Sequence, residues 1–433
     1  MASTLAVGDQ FEGIVALKNA CKQHAIDNLY ETRTTHSCAG TKGRYTLKCR
    51  DADCPWHLHA SVVPDTNLYR IRKLEGTHTC HGVNHRGHRQ ATALLVASKI
   101  VDRIRDMPEY RVVDIVKDFV RDHGVTIDYS KAYRAKMIAL EQINGSFEDA
   151  YRQLPEYCEK LKATNAGSVI ALESTEENKF RRVFMSFGAQ GTGFVHCRAI
   201  IGLDGTHLKS RYKGILLVAT TVDARGIDSS QKCSECSDVL GQLFPIAYAV
   251  VNAENDENWL WFLQLLRQIV ELHMPHVLHR SNALTMLSDR QKGLLEGVQH
   301  VFPASAHGYC LKHLEDNLRK RYKHPELKNY LWKAARATTE SEFNEAILEM
   351  RQIDKAAVKW LFEHADPTHW AEIYFPGKRY GHLTSNIAES LNAWLLRARE
   401  LPILAMFESI RQQLMDWFTK RRLIEGDNVG SML

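Results

Sequence analysis

The sequence has no apolar run of about 18 residues, the length at which a helix can cross a membrane, so no membrane-spanning segment is predicted. Its N-terminus, MASTLAVGDQFEG, lacks the basic stretch and apolar core of a secretory signal. The 10 cysteines therefore belong to a chain that we expect to be intracellular, where thiols and metal ligands are more common than disulfides. The formal net charge of +5 is only mildly basic, which permits a nucleic-acid partner without requiring one. A length of 433 residues favours two or three domains.

The first 90 residues contain two close pairs of metal-binding side chains. The pattern of apolar residues in this part of the chain predicts a helix over residues 11–30 and then four strands: Tyr30–His36, Arg44–Cys49, Trp56–Val63 and Leu68–Leu74. Cys49 and Cys54 form one pair, and His78 and Cys80 form the other. Zinc takes four nitrogen or sulfur ligands in a tetrahedron, and so small a sheet needs a structural metal for stability. The sequence predicts a zinc site, with His81 as a substitute ligand; buried thiols and a surface histidine are the alternative.

The segments RYTLKCRDADCPWHLHAS and LYRIRKLEGTHTC resemble the N-terminal DNA-binding domain of Mutator-type transposases, which is related to the plant WRKY zinc-finger fold. The resemblance implies that Tyr30–His36 lies in the DNA major groove, with Arg33, Lys42 and Arg44 as DNA-binding candidates. The WRKY signature itself is absent. Residues 1–90 hold 12 Lys and Arg against 8 Asp and Glu, and a basic zinc module is commonly a nucleic-acid binder. A protein-interaction finger is the alternative.

A helical region is predicted to follow. Residues 85–91 (HRGHRQA) are polar and basic, which indicates a linker between domain 1–90 and helical region 91–180. The segments Ala93–Ile104 and Val112–Val120 are amphipathic. The spacing allows a helix-turn-helix module, and a plain helical spacer is the alternative. In the module, the second helix would open with Ser130, Lys131, Tyr133, Arg134 and Lys136.

Residues 181–425 are predicted to form the main domain, because strands and helices alternate there. The predicted strands are Arg182–Phe187, Phe194–Leu203, Gly214–Asp223, Gln242–Asn252, Leu284–Leu287 and Ser305–Tyr309. Three antiparallel strands, a helix and then short parallel strands predict an α/β fold with a mixed sheet of ribonuclease H type. Residues 311–382 would be a helical insertion. Cys233 and Cys236 are interpreted as part of a flexible loop, with half of a metal-binding knuckle as the alternative.

Three carboxylates are predicted to meet in this domain. The stretch Arg198–Asp223 predicts a hairpin whose first strand ends at Asp204, and Asp289 follows another short strand. In the ribonuclease H topology these two strands are neighbours, and Glu389 lies one turn into a helix that can pack beside them. Carboxylates at hydrogen-bonding range repel one another unless a cation neutralises them, so we predict two Mg²⁺ or Mn²⁺ ions. Taken singly, the acids could be a turn residue, a helix cap and a solvent-facing glutamate.

Five segments between residues 195 and 422 resemble the transposase domain of Mutator-like elements. They are LDGTHLKSRYKGILLVATTVD, LFPIAYAVVNAENDENWLWFL, LSDRQKGL, HGYCLKHLEDNL and SNIAESLNAWLLRARELPI. The resemblance implies a catalytic triad of Asp204, Asp289 and Glu389. The supporting residues that it implies are Cys310, His313 and, as an apolar anchor of the insertion, Trp370. The chain departs from the family in a longer segment at 224–241 and in lacking a SWIM-type zinc finger after Arg422.

The resemblance implies a DNA transposase of the DDE type in the nucleus. It would bind terminal inverted repeats and target DNA, both double-stranded, as a homo-oligomer. His207, Lys209 and Arg211 follow the first carboxylate closely, which makes them candidates for phosphate contacts. One alternative is a domesticated transposase that acts as a DNA-binding transcription regulator without catalysis. Another is a nuclease that cuts without rejoining strands.

Overall fold

The chain divides into two units, Met1–Ser146 and Phe147–Leu433, in the computed structural model, which describes residues 4–82, 87–177, 179–223 and 243–430. Each unit contains one β-sheet and several helices, so the fold is mixed α/β. The boundary falls inside the region 91–180 for which the sequence predicted a separate helical segment. Three helices of that region belong to the first unit, and the fourth belongs to the second unit.

Alternating apolar residues build a five-stranded antiparallel sheet in the first unit. Its elements are β1 (Gln10–Glu12), α1 (Gly13–Asp27), β2 (Thr32–Cys38), β3 (Arg44–Cys49), β4 (His57–Val62) and β5 (Leu68–Glu75). The strand order is β1-β5-β4-β3-β2. Tyr45 and Leu47 point to the buried face, where they belong to the same core as Leu17 of α1. The opposite face of β3 is exposed at Arg44 and Lys48.

Three helices complete the first unit: α2 (Ala93–Asp106), α3 (Val112–His123) and α4 (Tyr129–Asn144). Thr92 and Asp128 cap α2 and α4 by accepting hydrogen bonds from backbone N–H groups of the first turn. Residues 87–91 of the predicted linker do not act as a linker, because they pack on the first unit. His88 is buried with its Nε2 atom 3.1 Å from the Tyr30 carbonyl oxygen, and Gln90 donates to the Thr32 carbonyl.

The second unit begins with α5 (Phe147–Thr164) and contains a seven-stranded mixed sheet. Its strands, with one intervening helix, are β6 (Val169–Ser174), β7 (Phe180–Ser186), α6 (Gly188–Phe194), β8 (Ile200–His207), β9 (Ile215–Val222), β10 (Leu243–Val251), β11 (Thr285–Ser288) and β12 (Ala306–Tyr309). The order is β12-β11-β8-β9-β10-β7-β6. The pairs β8–β11 and β11–β12 are parallel, and the others are antiparallel.

The strand predicted for Phe194–Leu203 begins only at Ile200, so its first half was predicted wrongly. Of that half, only Phe194 is helical, as the last residue of α6, and a turn joins α6 to β8. The side chain of Gln190 accepts from the Phe187 N–H and donates to the Pro245 carbonyl, and these buried bonds hold the chain in a helical turn. A local sequence pattern could not reveal the contact with Pro245, which is distant along the chain.

Helices cover both faces of this sheet. One face packs on α7 (Asp256–His273), α8 (Pro275–His279) and α9 (Lys292–Val301). An insertion with its own apolar core follows β12, and it consists of α10 (Leu311–Arg321), α11 (Glu326–Arg336), α12 (Glu340–Ile353), α13 (Lys355–His364) and a 3-10 turn (Pro367–His369). The insertion ends where it began, because the Leu311 N–H donates to the Leu383 carbonyl at 2.9 Å.

The opposite face of the sheet packs on α5 and on two C-terminal helices, α14 (Asn386–Trp394) and α15 (Ile403–Gly430). Helix α14 ends at Trp394, and a short 3-10 turn (Ala398–Glu400) separates it from α15. None of the helices in the described ranges combines the length and apolar character needed to cross a bilayer.

Candidate functional site

Asp204 and Asp289 lie on neighbouring parallel strands. β8 and β11 pair through Ile200 with Thr285 and Gly202 with Leu287, and Asp289 directly follows the last residue of β11. The prediction that Asp204 ends its strand was wrong. Asp204 pairs with Val218 of β9, and this pairing extends β8 as far as His207.

Helix α14 brings Glu389 to the same edge of the sheet. A Cβ atom on Gly202 would lie only 2.6 Å from Ile387 Cγ1, so the glycine allows α14 to pack directly on β8. Glu389 lies in the first turn of α14, and its Oε1 atom accepts a hydrogen bond from Ser385 Oγ at 3.1 Å. One turn later, Asn392 Nδ2 donates to Asp204 Oδ2 at 2.6 Å. The sequence analysis missed Asn392, although its spacing of three residues from Glu389 places both on one helix face.

The three acids form one electrostatic cluster. Burial raises the pKa of Asp204 to about 7, with further contributions from the negative charges of Asp289 and Glu389. However, the three carboxylates do not all come within 4.8 Å of one another, whereas the sequence predicted hydrogen-bonding range. The reason is that separate protein partners hold them: Asn392 and the Gly205 N–H bind Asp204, and Ser385 binds Glu389.

Glu389 also belongs to a compact cluster with Cys310 and His313, whose potential ligand atoms all lie within 4.8 Å. The hydrogen bond with Cys310 raises the pKa of His313 to about 9, and Asp289 and Glu389 add to the effect. Burial would raise the pKa of the Cys310 thiol, but hydrogen bonds with His313 and Ser385 outweigh burial and lower it. His313 is therefore a cation beside the acids, which fits the predicted supporting role of this pair.

The basic turn after β8 is fixed beside the acids. His207, the last residue of β8, is exposed, as are Lys209 and Arg211 of this turn. The Arg399 guanidinium donates to the His207 carbonyl oxygen from Nη2 at 2.6 Å, and the Lys209 N–H donates to the Arg399 carbonyl at 2.9 Å. The sequence analysis did not identify Arg399. Trp370 lies away from these groups in the core of the insertion, where its indole N–H donates to the Ala365 carbonyl.

In the first unit, the four predicted zinc ligands lie together. The Sγ atoms of Cys49 and Cys80 are 3.7 Å apart, and His78 Nδ1 is 3.4 Å from Cys54 Sγ and 3.6 Å from Cys80 Sγ. A tetrahedral zinc ion with Zn–S bonds of about 2.3 Å and a Zn–N bond of about 2.0 Å requires S···S distances of about 3.8 Å and S···N distances of about 3.5 Å. The four residues therefore have the spacing to hold zinc. His81 is exposed and lies outside this cluster.

The environment favours the protonation states that zinc binds at Cys54 and His78, whereas burial raises the pKa of Cys49 to about 12. Burial opposes ionisation of Cys54, but backbone N–H groups of Trp56, Thr79 and Cys80 stabilise the thiolate and lower its pKa to about 7. Burial lowers the pKa of His78 to about 4, so its imidazole is neutral at pH 7. The His78 ring stacks on Trp56 at a centroid distance of 4.8 Å, which fixes its orientation.

Basic side chains cluster on the open face of the first sheet. The predicted DNA-binding residues Arg33, Lys42 and Arg44 are all exposed. Burial lowers the pKa of His59, and the neighbouring Arg44, His36 and His57 lower it further. The face therefore carries His36, His57 and His59 beside the basic residues that the sequence analysis identified. Cys233 and Cys236 lie outside the described residues.

Parts of the chain match known families. Residues 200–317 match the MULE transposase domain, and residues 2–71 match the MuDR family transposase. The chain is similar to Protein FAR1-RELATED SEQUENCE 5 of Arabidopsis thaliana, with 20% identity over 410 residues. The similarity covers 88% of this chain and 46% of the plant protein, so the chain spans about half the length of that curated relative.

Proposed function

Because the chain carries the domains of a Mutator-like transposase, as its sequence predicted, we propose that it is a DNA transposase of the DDE type. In this proposal, the first unit binds terminal inverted repeats, and the second unit cuts DNA strands and joins them to target DNA. The observation that carries the proposal is the electrostatic coupling of Asp204 with Asp289 and Glu389, three acids on three different elements of the second unit.

The sheet order supports a ribonuclease H-like fold for the second unit. The antiparallel strands β10, β9 and β8 continue into the parallel strands β11 and β12, which is the order that the sequence predicted. The insertion α10–α13 separates β12 from α14, so it lies between the second and third acids along the chain. This arrangement brings together acids that are far apart in sequence.

The three acids fit a site for Mg²⁺ or Mn²⁺. Their oxygen atoms are hard ligands, and burial together with the charges of Asp289 and Glu389 raises the pKa of Asp204, so a bound cation would favour its ionised form. When bound, the two ions supply the charge that activates a water or a 3′-hydroxyl and stabilises the leaving oxygen. Asn392 orients Asp204, and Ser385 orients Glu389, so the protein fixes both carboxylates before the ions bind.

DNA is held by basic groups of both units in this proposal. Arg33, Lys42 and Arg44 are candidate contacts of the first unit, whose fold zinc stabilises. His207 ends β8, Lys209 and Arg211 lie in the turn that follows, and we assign all three to the phosphate backbone near the acids. The same proposal includes a homo-oligomer, because the two ends of the transposable DNA element must be brought together. The nucleus is its proposed site of action.

The test compares wild type with Asp204→Asn and the matched control Glu271→Gln, which changes an exposed acid on α7. The substrate is duplex DNA ending in the inverted repeat that flanks this reading frame. With Mg²⁺ present, we expect Asp204→Asn to lose strand cleavage by at least about 1,000-fold while its affinity for DNA stays within about twofold. Cleavage by Asp204→Asn at the wild-type rate would contradict the assignment of the triad.

A second candidate is a DNA-binding transcription regulator without catalysis. The favouring observation is that Asp204 and Glu389 already have protein partners, Asn392 and Ser385, and that the His313 cation lies beside Glu389. A pre-cut inverted-repeat end separates the candidates. Joining to target DNA supports the transposase, cleavage without joined product supports a simple nuclease, and binding alone by folded, metal-loaded protein supports the regulator.

A further inference from the structure

A fourth carboxylate, Glu254, lies in the connection between β10 and α7. Its Oε1 atom accepts a hydrogen bond from the indole N–H of the buried Trp259 at 3.2 Å. Asn255 caps α7 by accepting from the Asn258 N–H, and the Asn258 side chain donates to the Ala253 carbonyl at 2.8 Å. These bonds hold the backbone on both sides of Glu254, so the direction of its side chain is fixed.

Two close approaches place this segment against β8, next to Asp204, and against α9, the helix that follows Asp289. A Cβ atom on Gly205, the residue after Asp204, would lie 2.8 Å from Glu254 Oε1. A Cβ atom on Gly293, in the first turn of α9, would overlap Asp256. Side chains at these glycines would push the segment away, so their absence lets the Glu254 carboxylate lie against β8 and near Asp289.

Glu254 interacts electrostatically with Asp289. Burial raises the pKa of Glu254, and the charge of Asp289 raises it further, while the Trp259 hydrogen bond and His207 act in the opposite direction. A carboxylate that faces other carboxylates is repelled by them unless a cation neutralises the charge. A structural cap for Trp259 would need only a neutral acceptor, such as an amide.

We propose that Glu254 helps to hold the divalent cation of Asp204 and Asp289, as a fourth carboxylate of the centre. The inference rests on the proposed function, because that function supplies the cation. It assigns the metal centre a residue from the β10–α7 connection, in addition to those from β8, β11 and α14. Neither the spacing of the acids nor the family resemblance pointed to Glu254.

Metal affinity tests this role without requiring activity. Full-length, zinc-saturated protein is titrated with Mn²⁺ at pH 8 by calorimetry, as wild type and as Glu254→Gln, Asp204→Asn and the exposed control Glu271→Gln. Glutamine keeps an oxygen to accept from Trp259, so the fold is retained. We expect Glu254→Gln to raise the Kd for Mn²⁺ about 10- to 100-fold and Glu271→Gln to leave it unchanged. Glu254→Asp, which keeps the charge on a shorter side chain, should recover part of the affinity.

Two negative outcomes are distinguishable. If Asp204→Asn weakens Mn²⁺ binding and Glu254→Gln does not, Glu254 is a structural cap and the inference fails while the metal centre stands. If neither substitution changes Mn²⁺ binding, the metal centre of the proposed function fails as well. Should Glu254→Gln lower the thermal midpoint of the second unit, Mn²⁺ is titrated at a temperature where this variant is fully folded, and a Kd equal to that of wild type there overturns the inference.

Discussion

Asp204→Asn should remove a pH-dependent loss of stability from the second unit. The pKa of Asp204 is about 7 in the fold against an ordinary value of 3.8. Between these values the unfolded chain releases a proton that the folded chain keeps, so wild-type stability falls as pH rises from about 4 to 7 and is constant above. A difference of about 3 pH units corresponds to at most about 4 kcal/mol. Because the carboxylate is partly exposed to water, we expect about 2 kcal/mol.

Asparagine does not titrate, so the variant should match wild type near pH 4.5 and exceed it by about 2 kcal/mol at pH 8. At low pH both side chains are neutral and offer one strong acceptor to Asn392 and the Gly205 N–H. Urea unfolding without divalent ions, followed by hydrogen exchange of peptides from β8 and β9, measures the second unit alone. Glu271→Gln, with the same charge change at an exposed site, should show no such trend.

The reasoning would be refuted if the stability difference between Asp204→Asn and wild type were the same at pH 4.5 and pH 8. Mg²⁺ provides an internal check. At pH 8 a cation that binds the folded acids should stabilise wild type by about 2.7 kcal/mol at 100 times its Kd, and it should stabilise Asp204→Asn much less. A variant that gained as much from Mg²⁺ as wild type would place the cation away from Asp204.

Three further predictions concern other parts of the molecule. Cys54→Ser should lower bound zinc from one equivalent to near zero by atomic absorption and unfold the first sheet by circular dichroism; retention of both would exclude the metal site. Arg44→Ala should make the plot of the logarithm of the DNA association constant against the logarithm of salt concentration less steep by about 0.9, whereas Arg105→Ala, on α2, should not change it. A slope for Arg44→Ala equal to that of wild type would remove Arg44 from the interface. Gly202→Ala should cost about 1–3 kcal/mol in urea unfolding, because its Cβ meets Ile387. Ile387→Ala should restore most of that loss in the double variant, and an additive double variant would contradict the packing of α14 on β8.

The elements predicted most accurately from the sequence were those with a strong local pattern. Alternating apolar residues predicted β3 at its observed bounds, Arg44–Cys49, and β5 to within one residue. The spacing of Cys49, Cys54, His78 and Cys80 also predicted their convergence, because each close pair lies on one turn. These features depend on residues that are near one another in the chain or at the ends of adjacent strands.

The remaining features depend on contacts between distant segments. β8 continues past Asp204 because β9 pairs with it, and α6 is helical because Gln190 bonds to Pro245. Asn392 and Glu254 reach the acids because glycines on β8 leave room for α14 and for the β10–α7 connection. An isolated glycine in a strand pattern does not reveal which element approaches it. The sequence therefore predicted the acids but not the groups that orient them.

The insertion α10–α13 has a consequence for how this chain can be altered. Its first and last residues meet, since the Leu311 N–H bonds to the Leu383 carbonyl and the Ser385 N–H donates to Cys310 Sγ. Its core, which includes Leu314, Leu331 and Trp370, is its own. Apart from α10, whose His313 lies beside the acids, a segment with adjacent ends and a separate core can be exchanged like a cassette, because its replacement does not change the spacing between β12 and α14. The protein can therefore vary the size and surface of this cassette while the strands that carry Asp204 and Asp289 keep their register.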